Sequence, residues 1–256
     1  MKRSSFRLKG GVLAFLKEGH GPPVVLIHGA GNRAEIWKEL FAALTEAYTL
    51  YVLDLPGHGC SSYMPCLRIE DYSSQVLEFL EADDLERVTL VGHSMGGAIA
   101  LKAVPFSKRV ATLVLVGTGP RLRVNPRLLS ILREDFSRGV ELMVRWSFHK
   151  DAPRELLDEA KEMFWQSGQA VLYQDMLACD LYSAREDLGD ISLPTLIICG
   201  ERDVMTPPDL SRELQRGIRG AELRLVEGAG HMVHREKGEE VARLISSFLD
   251  TQFKGG

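Results

Sequence analysis

Cysteine is scarce in this 256-residue chain, and long hydrophobic runs are missing. The four cysteines, Cys60, Cys66, Cys179 and Cys199, are too few and too scattered for a disulfide framework. Cys60 and Cys66 are too far apart for a redox pair and lack His or Cys partners at zinc-site spacing, so reduced thiols and no metal are expected. No apolar stretch approaches a membrane span, and no signal-like run follows the basic start "MKRSSFRLKGG". No membrane partner and a cytoplasmic location are therefore expected. Charge of one sign is not in excess either: 31 basic against 35 acidic side chains leave −4, giving no electrostatic ground for a nucleic-acid partner. Internal repeats and low-complexity tracts are absent.

What is present is ordinary for a folded globular protein, with 45% hydrophobic and 26% charged residues. Short apolar, β-branched runs recur between turn residues: "VVLIHG" (24–29), "YTLYVLDLPG" (48–57), "RVTLVGHS" (87–94), "ATLVLVGTG" (111–119), "PTLIICGERD" (194–203) and "AELRLVEGAGH" (221–231). Continuous rather than alternating hydrophobicity predicts strands covered on both faces, the habit of parallel sheets. Helical spacing fills the intervals, as in "AEIWKELFAALTEA", where Ile36, Leu40 and Leu44 share a face. The alternation predicts an α/β fold with helices on both faces of a mostly parallel sheet. A hairpin turning at Gly10-Gly11 is expected to precede the parallel part.

One interval breaks the rhythm. Residues 120–187 hold no convincing buried strand but carry amphipathic patterns rich in Phe136, Met143, Trp146, Phe148, Met163, Phe164, Trp165, Tyr173 and Met176. One crossover rarely needs nearly seventy residues, so a helical cap over one end of the sheet is expected. The division is then a core of 1–119 and 188–256 with a cap (lid) insertion at 120–187.

The stretch "RVTLVGHSMGGAIALKAV" sets Ser94 in Gly92-His93-Ser94-Met95-Gly96, between a buried strand and a helix. A G-x-S-x-G there predicts the strained nucleophile elbow, which needs small residues two positions to either side. The hydroxyl then projects from the strand's carboxyl end at the N-terminus of a helix. Serine is a poor nucleophile without a base. Of seven histidines, His231 is delivered just after the last predicted strand, with His234 its nearest rival. An acid should orient that imidazole. Asp203 follows the preceding strand in the same way, with Glu201 as a nearby competitor. The order Ser94, Asp203, His231 is that of the α/β-hydrolase fold. Oxyanion donors are expected at the Ala30 and Met95 backbone N–H groups, while His28, His58 and His93 are read as structural.

In order along nearly the whole chain, "LIHGAGN", "LDLPGHGCS", "LVGHSMGGAIAL", "LPTLIICGERDVMTPP" and "VEGAGHMVHRE" resemble the α/β-hydrolase superfamily, specifically its small helical-capped members. The resemblance implies eight strands, a cap after strand six and a serine triad needing no cofactor. Three departures narrow it. Ser94 stands where haloalkane dehalogenases and epoxide hydrolases carry aspartate. Ala98 stands where menaquinone-pathway lyases usually have arginine. His93 and Met232 differ from carbon–carbon hydrolases of ring-cleavage products.

The expectation is a hydrolase of carboxylic esters or related small acyl compounds with an apolar portion. Carbon–carbon hydrolysis, lactone opening, acyl transfer, or ligand binding without catalysis are the alternatives. Because the base must be neutral, activity should rise with pH on the acid side.

Overall fold

The computed structural model of the protein describes residues 2–253. Eight strands form one sheet: β1 (Lys2–Leu8), β2 (Gly11–Glu18), β3 (Pro23–Ile27), β4 (Thr49–Leu53), β5 (Val88–His93), β6 (Val110–Val116), β7 (Thr195–Gly200) and β8 (Glu222–Val226). Their spatial order is β1-β2-β4-β3-β5-β6-β7-β8. β1 and β2 join antiparallel, and every pair from β4 and β3 through β8 is parallel.

The leading hairpin turns one residue earlier than the sequence suggests. Gly11 already pairs with Leu8, so Lys9 and Gly10 form the tight loop and Gly11 is a strand residue. Either turn would be two residues long; the observed register sets Phe6 opposite Leu13, so that both side chains pack into one core.

Period-two alternation divides each parallel strand between two apolar layers. Val25, Ile27, Leu90, Leu113, Leu115 and Ile197 face one core, packed under α2 (Ile69–Ala82), α3 (Met95–Ala103) and α8 (Pro208–Gly217). Val24, Leu26, Val91, Val114, Val116 and Ile198 face the other, under α1 (Lys38–Leu44) and α10 (Gly238–Phe253). β8 departs from the expected continuous burial: Glu222, Arg224 and Leu225 are exposed because β8 is the sheet's edge. Its charged residues suit an edge that must not recruit a further strand. The helical pattern at 34–44 is also divided, with a 3-10 turn at Ala34–Trp37 leading into α1.

Between β6 and β7 the chain forms α4 (Pro126–Glu134), α5 (Phe136–Ser147), α6 (Arg154–Ser167) and α7 (Gln169–Leu181). The two ends of this segment meet at its base. Ala184 N–H donates to Pro120 C=O at 2.8 Å, and an isolated antiparallel bridge joins Arg121 and Ser183. Among the described residues no helix is long and apolar enough to cross a membrane. A short α9 (Val233–Glu236) precedes α10.

Parallel register aligns the carboxyl ends of the strands. Ile27 lies beside Gly92, His93 beside Val116, Val116 beside Ile198, and Gly200 beside Val226. Loops leaving those ends carry Ala30, Ser94, Asp203 and His231 to one edge of the sheet, where open α/β sheets bind ligands.

Candidate active site

Ser94 occupies the turn from β5 into α3 with φ +52 and ψ −116, a backbone region that side-chain-bearing residues rarely adopt. Its neighbours hold it there. Ser94 N–H donates to Val116 C=O at 2.9 Å, and the Thr118 hydroxyl donates to Ser94 C=O at 2.8 Å. The flanking glycines are needed for space. A Cβ on Gly92 would lie 2.3 Å from Gly96 O, and one on Gly96 would lie 2.2 Å from Ile27 O at the end of β3. The elbow is thus wedged against a neighbouring strand as well as folded on itself.

Asp203 and His231 meet from the loops that follow the neighbouring strands β7 and β8. His231 Nδ1 lies 2.9 Å from Asp203 Oδ2, with both side chains buried. Asp203 is itself held on four sides. Its Oδ1 accepts the Met205 and Thr206 N–H groups at 2.9 and 2.8 Å, and its Oδ2 also accepts the Thr206 hydroxyl at 2.7 Å. Burial pushes the carboxyl up, but the His231 charge and the bonds from His231 and Thr206 outweigh it and hold Asp203 below its ordinary range. Gly200 permits the meeting: a Cβ there would sit 2.1 Å from Gly230 O, in the loop that carries His231. Glu201 is exposed and paired with Arg202, so it takes no part.

Ser94 and His231 line one cavity of about 290 Å³, together with Ala30. No hydrogen bond joins the Ser94 hydroxyl to His231 among the described residues. Contacts of this kind often tighten only once substrate is bound. The Ala30 N–H, beyond β3, and the Met95 N–H, first in α3, donate to no protein acceptor among the described residues. Both remain available to an oxygen beside Ser94. The Met95 side chain is buried in the core and takes no part in lining the cavity.

The other histidines sit around this centre without lining up as bases. His28 Nδ1–H donates to Gly29 C=O at 2.8 Å and its Nε2 accepts the Leu55 N–H at 3.0 Å. His93 Nε2–H donates to His231 C=O at 3.0 Å, bracing the backbone of the His231 loop. His234, the rival base, is wholly buried against Trp37 and His93, with ring centroids 4.6 and 4.3 Å apart. Trp37 is wholly buried in the core.

Burial, aided by nearby imidazoles, pushes His28 and His93 down to about 3 from the usual 6.5, and burial pushes His234 down as well. Their depressed folded-state values mean that the unfolded chain binds protons that the folded chain refuses. Stability is therefore complete above the unfolded value near 6.5 and is lost as pH falls below it. Three such groups give a slope of up to roughly 4 kcal/mol per pH unit in acid. Calorimetry should show Tm falling by several degrees from pH 7 to pH 5; a flat Tm over that span contradicts the neutral assignment of all three rings.

Two supporting residues carried no recognised sequence signal. Thr206, three positions after Asp203, closes the turn that fixes the Asp203 carboxylate. Glu236 accepts the Gly230 N–H and the His149 N–H, each at 2.9 Å, tying the His231 loop to the connection between α5 and α6. Both use a short spacing from a predicted catalytic residue, which is the signal that could have found them.

The aromatic and methionine residues of the helical segment divide three ways. Met143, Trp146, Phe164 and Met176 line the cavity beside Leu122 and Leu128. Phe148 and Met163 are buried in the core shared with α1 and α10. Phe136 and Trp165 pack edge to face, 4.9 Å between centroids, with Trp165 partly in solvent. Among the described residues no group of three or more His, Cys, Asp or Glu side chains is placed to hold a metal ion.

Known proteins share this fold. A solved structure of a thermophilic esterase is 31% identical, superposes with a TM-score of 0.88, and the match covers 97% of each chain. An esterase from Exiguobacterium antarcticum superposes with a TM-score of 0.92 at 23% identity, over 96% of this chain and 99% of that one, a likeness of fold. The pimeloyl-[acyl-carrier protein] methyl ester esterase of Vibrio vulnificus is 26% identical over 90% of this chain and 95% of its own. A model of the alpha/beta hydrolase family matches residues 24–244. That span runs from β3 into α10 and takes in the elbow, the Asp203 turn and the His231 loop, so the chain belongs to the alpha/beta hydrolase family.

Proposed function

We propose that the protein hydrolyses small carboxylic esters with an apolar acyl portion, through an acyl-enzyme on Ser94. The observation that carries this reading is the 2.9 Å contact between His231 and Asp203, with His231 on the same cavity wall as Ser94. Ser94 Oγ attacks the carbonyl carbon while His231 Nε2 takes its proton. The carbonyl oxygen, now negative, accepts hydrogen bonds from the Ala30 and Met95 N–H groups. One such donor typically lowers the barrier by about 2.7–4 kcal/mol. Collapse breaks the ester C–O bond, and the leaving alkoxide takes the proton from His231. Water then gives a proton to His231 as it attacks the acyl carbon, and Ser94 departs with that proton. Asp203 keeps the Nδ1–H in place throughout and stabilises the imidazolium.

The segment of α4 to α7 serves as the cap in this reading. It supplies Leu128, Met143, Trp146, Phe164 and Met176, and the connection from β6 adds Leu122, as an apolar slot for the acyl chain. About 290 Å³ lies at the small end of ligand cavities, which commonly span ~300–1,000 Å³. Each buried methylene is worth about 0.8 kcal/mol, close to fourfold in kcat/KM, until the slot is full. With p-nitrophenyl esters of graded length, kcat/KM should climb by that ~0.8 kcal/mol step per methylene and then break once the slot is filled. A steady climb through twelve or more carbons, or no dependence on length, contradicts the assignment of the slot. Thioesters and lactones of matched size extend the same panel.

A further inference from the structure

A second buried carboxylate, Asp175 on α7, plays no part in the proposed proton relay, yet it is wholly buried. Its Oδ2 accepts the Gly31 N–H at 2.8 Å and lies 2.8 Å from His58 Nε2, while its Oδ1 accepts the Tyr72 hydroxyl at 2.6 Å. One side chain of the helical segment thereby grips the loop after β3, the loop after β4, and α2. Burying a charge costs several kcal/mol before pairing, and apolar side chains would dock a helix at least as well. The arrangement therefore calls for an explanation beyond docking.

Its place in the chain supplies one. The Gly31 N–H belongs to the peptide whose other end is Ala30 C=O, and that carbonyl accepts from Asn32 Nδ2 at 3.0 Å. The peptide carrying the Ala30 N–H ends in Gly29 C=O, which accepts from His28 Nδ1 at 2.8 Å and from the Asn32 N–H at 3.2 Å. Both peptide planes flanking the Ala30 Cα are pinned. Three of the four pins come from the loop itself or the residue before it. Asp175 provides the fourth, from α7.

We propose that Asp175 is a positioning residue for the oxyanion hole, aiming the Ala30 N–H by holding the adjacent peptide, with His58 as its counter-charge. Burial alone would lower His58, but the charge and hydrogen bond of Asp175 outweigh it and hold the imidazole above its ordinary range. Both of its ring N–H groups then donate, one to Asp175 and one to Pro56 C=O at 3.0 Å. The neutral His28 ring packs edge-on, 4.9 Å away, and keeps its Nδ1–H for Gly29. Cap, ion pair and oxyanion loop thus form one unit, so a properly aimed donor requires α7 in its docked place.

This inference rests on the ester-hydrolase reading, and the test separates the two. Asp175→Asn is measured beside Ser94→Ala on the best short p-nitrophenyl ester, with Tm and circular dichroism. The expected result for Asp175→Asn is a 30- to 300-fold lower kcat with KM within threefold, since a misaimed donor forfeits up to the ~10²–10³-fold of a whole one. A kcat within twofold of wild type, or a loss confined to KM, overturns the positioning role. If Asp175→Asn does not fold, Tyr72→Phe removes one bond and keeps the charge pair; kcat should fall three- to tenfold at constant KM, and an unchanged kcat overturns the inference. Ester turnover surviving in Ser94→Ala would overturn the ester-hydrolase reading itself, and the inference with it.

Discussion

Ser94→Ala should lower kcat for a short-chain ester by about 10⁴–10⁶-fold while leaving the fold intact. The size follows from the absence of a substitute. Cys179 lines the same cavity, but burial pushes its thiol well above the ordinary range, so little thiolate forms to replace the serine. Stability should hardly change, because among the described residues the Ser94 hydroxyl makes no hydrogen bond whose loss would leave a buried group stranded. The strained backbone at φ +52 is imposed by the elbow and persists with alanine. KM should stay within a few fold, since the proposed acyl slot and oxyanion donors are untouched. The residual rate belongs to those donors and to binding. Kinetics with a p-nitrophenyl ester, next to a thermal melt, check both halves. A variant retaining a tenth of wild-type kcat contradicts the nucleophile assignment.

Asp203→Asn should cost about 10⁴-fold in kcat, and the reason is a tautomer. Oδ1 of Asp203 accepts two backbone N–H groups, from Met205 and Thr206, so an asparagine must keep its oxygen there. Turning the amide over would set its NH₂ against two donors. The amide nitrogen is therefore forced into the place of Oδ2, facing His231 Nδ1. A donor at that point requires a bare Nδ1, which moves the imidazole proton to Nε2. Ser94 then meets an N–H instead of a lone pair, and the base is disabled with its geometry intact. The Thr206 hydroxyl, 3.1 Å from Nδ1, can turn to suit either arrangement, so the fold should tolerate the change. Activity within tenfold of wild type would remove Asp203 from the relay.

The features legible in the sequence were those written locally. The elbow at Ser94 shows because its spacing is short and both flanks are apolar. Asp203 and His231 show because each follows a buried run by only a few residues. The helical segment shows as a gap in strand rhythm. What escaped depends on geometry that spacing does not encode. The edge position of β8 follows from sheet order, which the local pattern "ELRLV" does not reveal. The hairpin loop at Lys9 and Gly10 was hidden by a second glycine that turned out to be a strand residue. Asp175 reaches His58 and Gly31 across 117 and 144 residues of chain. In one dimension it is an acidic residue on an amphipathic helix, and only the docking of α7 onto the loop after β3 makes it a hub. The cavity wall is hidden for the same reason. Met143 and Met163 look alike in sequence, yet one faces the cavity and the other lies in the core shared with α1 and α10.

The most direct test is to find where an acyl mimic attaches. After treatment with a small alkyl fluorophosphonate, peptide mass mapping should place a single adduct on the fragment containing Ser94. Ester turnover should disappear in step with labelling, and Ser94→Ala should remain unlabelled. An adduct on another residue, or full turnover by protein carrying the label at Ser94, would contradict the proposed chemistry.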